Sequence, residues 1–131
     1  MASGTRQLKR GDGWRVGCFP NAELFQGLVG SDTWSLELTT TEFNDFCRLA
    51  LQLSDTMAAM AAELMDEERI SCEAESESIW LEVEGFPHAY TMHLILLTGR
   101  RGEGMWSDAA VPKLLQALQE IWVDFESEKE L

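Results

Sequence analysis

The residues of this 131-residue chain that could do chemistry are few, and their spacing assembles none of the usual constellations. His88 and His93 stand in strand-like sequence at a spacing that aims them at opposite faces, and they read as structural or surface histidines. No C-x-x-C, H-x-x-x-H or calcium-loop pattern gathers ligands for a metal. No G-x-S-x-G is present, and pairing Cys18, Cys47 or Cys72 with His93 as nucleophile and base has no support from spacing. Gly99-Arg100-Arg101-Gly102-Glu103-Gly104 is glycine-rich but matches neither a phosphate loop nor a dinucleotide fingerprint, so it reads as a hairpin. The expectation is a non-enzyme with no catalytic residue, no metal and no cofactor.

Two groups of side chains remain that could recognise a macromolecule. Glu73, Glu75, Glu82 and Glu84 alternate onto one strand face together with Trp80. Nothing around them signals a pocket, so acid-base work is not indicated. They read as a solvated face, or as a surface kept acidic for a basic protein partner, since complementary potentials steer encounter. The second group is Trp14 and Arg15 near the start of the chain, beside Arg6, Lys9 and Arg10, with Arg100, Arg101 and Trp106 further on. Adjacent in space, these would form a basic, aromatic patch able to stack and neutralise single-stranded nucleic acid.

Both groups depend on the elements that hold them. Residues 1–12 read as a mobile basic arm, broken off by Gly11-Asp12-Gly13. Trp14 to Cys18, Phe25 to Val29 and Trp34 to Leu38 read as a three-strand meander. Thr39 stands three residues before Glu42 in a capping-box spacing, and Phe43, Phe46, Ala50, Leu53, Met57, Met60 and Leu64 then recur at steps of three and four. A helix over residues 41–65 follows, about 37 Å long at 1.5 Å per residue. It must cross a whole sheet or project to a partner, and its Met57-to-Ala62 end could finish the core or dock a second chain. The period then becomes twofold: Ile70 to Glu75 and Ile79 to Glu84, up to Gly85, form a hairpin with one acidic face. Tyr90 to Thr98, almost wholly apolar, reads as a central strand covered on both faces. Met105 and Trp106 precede a second helix opened by Val111-Pro112, and Glu126 to Leu131 read as a frayed acidic end, within a tail over 124–131.

The result is an α+β fold in which a strands-then-helix unit occurs twice, an antiparallel sheet carrying two helices, with one domain over 13–123. Cys18 and Cys72 fall in strand patterns and Cys47 on the helical stripe, so buried, reduced thiols are expected. The start of the chain lacks a signal-peptide core, and its most apolar stretch is far shorter than the roughly 18 residues a membrane span needs. A cytoplasmic protein without a membrane role is the expectation.

Gly11-Asp12-Gly13-Trp14-Arg15, Gly27-Leu28-Val29-Gly30, Trp34 to Thr39, Glu63 to Glu68, Cys72-Glu73-Ala74-Glu75-Ser76 and Thr98-Gly99-Arg100-Arg101 together resemble a small cyanobacterial family catalogued as domain of unknown function 1818. The resemblance runs from residue 11 to about residue 123. It implies a fold like that of single-stranded-DNA-binding transcriptional regulators, the Whirly-like arrangement. No activity, ligand or functional residue comes with it, and likeness of fold does not by itself assign function.

Charge bears on the choice between partners. The chain carries 23 acids against 10 bases, a net charge of -13, which argues against general affinity for polyanions. The acidity is local, however. Residues 63–84 hold nine acids and one base, whereas the first fifteen residues are net +3. The preferred reading is an interaction or regulatory module that binds a protein partner through its acidic hairpin or long helix, with monomer and homodimer both open. A single-stranded DNA or RNA binder using the Arg/Trp patch is the alternative.

Overall fold

Local turns and period-two alternation build each half of the molecule separately. A computed structural model describes residues 6–63 and 68–129, the side chains of 123–129 excepted. Four strands come first: β1 (Gln7–Gly11), β2 (Trp14–Cys18), β3 (Gly27–Gly30) and β4 (Ser35–Leu38), paired antiparallel in chain order. Helix α1 (Thr40–Glu63) leads to β5 (Ile70–Glu75), β6 (Ile79–Phe86), β7 (Ala89–Leu96) and β8 (Glu103–Trp106), again in chain order, and α2 (Val111–Lys129) follows. The strands-then-helix unit thus occurs twice, and its strands form one antiparallel sheet per unit. A 24-residue helix separates β4 from β5 by about 36 Å of rise, so pairing resumes with the nearest new neighbour, β6.

Residues 7–11 are strand, which corrects the reading of residues 1–12 as a mobile arm. Asp12-Gly13 is a two-residue hairpin turn in which Gly13 adopts a φ of 82°, a left-handed conformation open to glycine. Gly11 then pairs with Trp14, Lys9 with Val16 and Gln7 with Cys18. Lys9 also forms an ion pair with Glu120, fixing β1 to α2. At the other end of the chain, α2 runs on to Lys129 through the stretch read as an acidic tail, because no Gly or Pro stops it. Residues 1–5, the helix end at Leu64 and Met65, and 130–131 lie outside the described residues.

Helix α1 enters as its capping box requires. The Thr39 amide donates to Glu42 Oε1 at 2.9 Å and the Glu42 amide to Thr39 Oγ1 at 3.2 Å. Its stripe of Phe43, Phe46, Ala50, Leu53 and Met57 is buried, whereas Ala58, Ala59, Ala61 and Ala62 are exposed. The helix packs on β3 and β4 of the first sheet and β5 and β6 of the second, while α2 lies on β1, β2 and β7. Both helices therefore sit on the inner faces of both sheets. Val16, Val29 and Leu38 face inward from one sheet, and Leu81, Val83, Met92, Leu94 and Trp106 from the other.

Strand β7 differs from expectation. Tyr90, Met92, Leu94 and Leu96 are buried, but Ala89, Thr91, His93 and Ile95 lie on a face that neither helix covers. Ile95 makes the segment look apolar throughout; on that outer face it stands opposite Trp80 as a cross-strand neighbour.

The two sheets meet where β4 approaches β8. The Trp34 indole N–H donates to the Met105 carbonyl at 3.3 Å, and that of Trp106 to the Gly30 carbonyl at 2.7 Å. Gly104 makes room for the Trp34 ring, since a Cβ there would lie 2.3 Å from it. At the same seam the Glu42 carboxylate, 3% exposed, accepts from Thr98 Oγ1 at 3.0 Å and from the Arg100 guanidinium. Arg100 also donates to the Glu37 carbonyl at 2.7 Å and lies over the Phe25 ring. One carboxylate thus joins the end of the first sheet, the start of α1 and the β7–β8 loop.

Two consequences are measurable by urea unfolding. Gly104→Ala should cost about 1–3 kcal/mol, because the methyl group must displace a packed indole. Glu42→Ala should cost about 2–4 kcal/mol, between the loss of a cap and the breaking of a buried pair. A loss no larger than that of an exposed Glu77→Ala control would show that the Glu42 junction contributes little.

Candidate functional site

The outer face of the second sheet collects the whole acidic group. In register across the sheet, Glu73 stands opposite Glu82 and Glu82 opposite His93, while Glu75 faces Trp80 and Trp80 faces Ile95. Strand β8 adds Glu103 opposite Ile95 and Met105 opposite His93. All five residues expected there (Glu73, Glu75, Trp80, Glu82 and Glu84) lie on this one face, because pleating sends alternate residues the same way. His93, Ile95, Glu103 and Met105 complete it, and they were missed. The signal was present as the alternation of Thr91, His93 and Ile95 with Met92, Leu94 and Leu96.

The face is ordered by its own side chains. The Trp80 indole donates to Glu73 Oε2 at 3.2 Å, and its ring meets the His93 ring edge-on at 5.5 Å between centroids. His93 Nε2 lies 2.9 Å from Glu103 Oε2, Ser71 Oγ donates to Glu82 Oε2 at 3.0 Å, and Arg69 approaches Glu84 at 3.7 Å. Trp80 and Ile95 form an adjacent apolar pair between Glu75 and Glu103, and Met105 lies beyond His93 on the edge strand β8. Met105 is 53% exposed, and Leu97, next along the same side of the chain, is 46% exposed. Glu73 directly opposite Glu82 is a like-charge pair that costs about 0.2–1 kcal/mol by itself.

The arginine and tryptophan residues behave otherwise. The segment of Trp106 does come against Gly30, whose backbone pairs with Arg15, so the two regions are neighbours. Their side chains nevertheless form no common patch. Trp106 is fully buried against Trp34, at 4.9 Å between ring centroids, and Phe46. Trp14 is half-buried and points to the opposite side of β2 from Arg15. Arg100 is held by Glu42, the Glu37 carbonyl and Phe25. Arg101 is exposed in the β7–β8 loop at a φ of 55°. Of the five, Arg15, Arg100 and Arg101 reach the surface, Arg100 with its guanidinium engaged by Glu42 and the Glu37 carbonyl, and a base could not stack on Trp106.

Arg15 belongs instead to the outer face of the first sheet. It stands directly opposite Arg10, one register step from Leu8 opposite Gly17. A Cβ on Gly17 would meet Leu8 and Phe19, which shows that both side chains lie over that glycine on the outer side. Arg6 sits over the Phe19 ring at 5.0 Å, and Leu28 and Glu37 continue the face across β3 and β4.

A groove of about 640 Å³ lies between α1, α2 and the β6–β7 turn. It carries Ser54, Asp55, His88 and Tyr90. Burial pushes the Tyr90 phenol above its ordinary 10.0, a hydrogen bond with Ser54 opposes this, and the Asp55 charge adds to it. At neutral pH that phenol is therefore a hydrogen-bond donor and no base. His88 is exposed and stacks on Phe86. Among the described residues, no three His, Cys, Asp or Glu side chains are grouped so as to hold a metal ion, and no helix is long and apolar enough to cross a membrane. Cys18 and Cys47 are buried and Cys72 is half-buried.

The acidic hairpin is fixed to α1 through Asp45. Ser78 Oγ donates to Asp45 Oδ2 at 2.7 Å, and the Ser76 hydroxyl accepts from the Ser78 and Ile79 amides, which closes the β5–β6 turn. Burial would raise the Asp45 carboxyl, but hydrogen bonds from Ser78, Ser76 and Arg48 outweigh it and hold the group below its ordinary 3.8. A folded-state value below the unfolded one means stability that is present above about pH 3.8 and is lost as pH falls through the folded value. Asp45→Asn should therefore lower the urea midpoint at pH 7, and the gap from the parent should close as pH falls toward 3. A gap unchanged down to pH 3 would remove Asp45 as the anchor.

Comparison with known proteins places the chain without giving it an activity. No curated protein matches it. A crystal structure of a protein of unknown function from Prochlorococcus sp. NATL2A, described as of the DUF155 family, is similar in fold, with a TM-score of 0.84 at 25% identity over 90% of this chain and 99% of that one. The model of the family described as Domain of unknown function (DUF1818) matches residues 9–121. The chain, read from β1 through α2, therefore belongs to the DUF1818 family.

Proposed function

We propose that this is a non-catalytic interaction or regulatory module whose working surface is the outer face of β5–β8. The observation that carries the reading is the composition of that face: the adjacent pair Trp80 and Ile95, with exposed Met105 on the edge strand β8, set among Glu73, Glu75, Glu82, Glu84 and Glu103. Apolar side chains set among charges of one sign suit a protein interface, and that sign asks for a basic partner. The partner is accordingly a protein surface with exposed Lys or Arg and an apolar middle. A Whirly-like relationship, supported by the repeated strands-then-helix units, and a cytoplasmic location, supported by the reduced-thiol pattern, belong to the same reading.

The nucleic-acid alternative has less support. Trp106 is buried and Arg100, on the surface, is paired with Glu42, which leaves Arg6, Arg10 and Arg15 with Phe19 as the aromatic beside them.

Glu73→Lys/Glu82→Lys changes exposed or half-exposed side chains and leaves the core intact. Tagged parent and variant, expressed in the native cell and purified in parallel, should differ in at least one co-purifying protein by roughly tenfold or more, as expected for reversed rim charge. Identical protein sets, with self-association of the chain unchanged as well, would refute the acidic face as the working surface. Submicromolar binding of random single-stranded oligonucleotides at physiological salt, abolished by Arg15→Glu, would favour the alternative instead.

A further inference from the structure

We infer that the partner of the acidic face is a second copy of this chain, bound through the outer face of β1–β4. This rests on the interface reading above and names its occupant.

The two outer faces complement each other in charge and in shape of pattern. One presents Arg6, Arg10 and Arg15 around Leu8, Phe19 and Leu28, with Glu37 toward its far strand. The other presents five glutamates together with the adjacent pair Trp80 and Ile95 and with Met105 at its edge. Exposed large apolar side chains fall on both: Leu8 is 50% exposed on the basic face and Met105 53% on the acidic one. Each face also holds a like-charge pair in direct register, Arg10 opposite Arg15 and Glu73 opposite Glu82. Among the described residues neither Arg10 nor Arg15 has a carboxylate partner within its own chain. An opposing face of the other sign relieves both repulsions together.

The fold dictates the symmetry. Each sheet turns its inner face to the helices, so the two outer faces look away from one another and cannot meet within one molecule. Acidic on acidic, or basic on basic, would set like charges together, which excludes a two-fold dimer through either face. What remains is head-to-tail association of basic face on acidic face, which leaves a free face at each end and continues as an open chain or a closed ring. Strands about 4.8 Å apart rising about 3.3 Å per residue give the faces about 300–400 Å² each, below the roughly 800 Å² per partner of a standard stable interface. Association is therefore reversible and micromolar, and weakens with salt because its rim charges are solvent-exposed.

Sedimentation velocity of the full chain from about 1 to about 500 μM should show growth beyond monomer at low salt that reverses at about 0.5 M salt, where the screening length is only a few Å. Arg10→Glu/Arg15→Glu and Glu73→Lys/Glu82→Lys should each be monomeric alone, because each lacks one of the two faces. Mixed in equal amounts they should associate again, because the acidic face of the first meets the basic face of the second. A parent that stays monomeric throughout, or an oligomer that survives both reversals, would overturn the proposal. So would binding of a single-stranded oligonucleotide by Arg10 and Arg15 without self-association. If the parent is monomeric but a different protein is still lost from Glu73→Lys/Glu82→Lys in the native cell, the acidic face keeps its role and only the identity of its occupant fails.

Discussion

The buried carboxylate of Glu42 is the point on which the arrangement of the two halves depends. A charge almost removed from water must be matched by donors, and here they come from three places: the Thr39 amide at the end of the first sheet, Thr98 at the end of β7, and Arg100 in the β7–β8 loop. Satisfying one group therefore sets the second sheet against the first. With the β7–β8 loop held there, β8 lies beside β4, Trp34 packs over Gly104, and Trp106 reaches the Gly30 carbonyl. The junction also decides the fate of Arg100, which is engaged with the protein's own carboxylate and carbonyl and has no free fork for a phosphate.

Once the sheets meet in this way, both inner faces turn toward α1 and α2 and both outer faces turn to solvent. The amphipathic stripe of α1 explains why one helix can serve two sheets. Phe43 and Phe46 in its first turns, with Ala50, Leu53 and Met57 further along, continue one buried stripe that spans the gap between them. Having used its helices inside, the fold has none left to cover the outer faces. Their chemistry is then carried by the residues that pleating sends outward: arginines in β1 and β2, glutamates in β5, β6 and β8. The net charge of -13 conceals this, since it averages two surfaces of opposite sign.

Much of this was legible along the chain. The helix α1, its capping box, the twofold alternation of β5 and β6 and the single acidic face they share follow from periodicity, which needs only local geometry. The two differences between sequence and structure have local causes as well. Gly11-Asp12-Gly13 was read as a break when it is a hairpin turn, so β1 was lost to an imagined arm. The β7 segment was read as doubly covered because Ile95, an outward residue, is as apolar as its inward neighbours. In each case composition outweighed register, and register is the quantity that decides the face.

The tryptophans and arginines show where local information ends. Trp14, Arg15, Arg100, Arg101 and Trp106 have the composition of a nucleic-acid patch, and the segments bearing them do approach each other. Whether a side chain at that meeting point faces water or core is fixed by partners distant in sequence: Phe46 and Gly30 for Trp106, Glu42 for Arg100. Residue type and local period thus determined the elements, their amphipathic faces and the placement of acid on one hairpin. Tertiary structure alone decided which aromatic and cationic groups are available to a partner, because burial and ion pairing arise from long-range contacts that no single segment encodes.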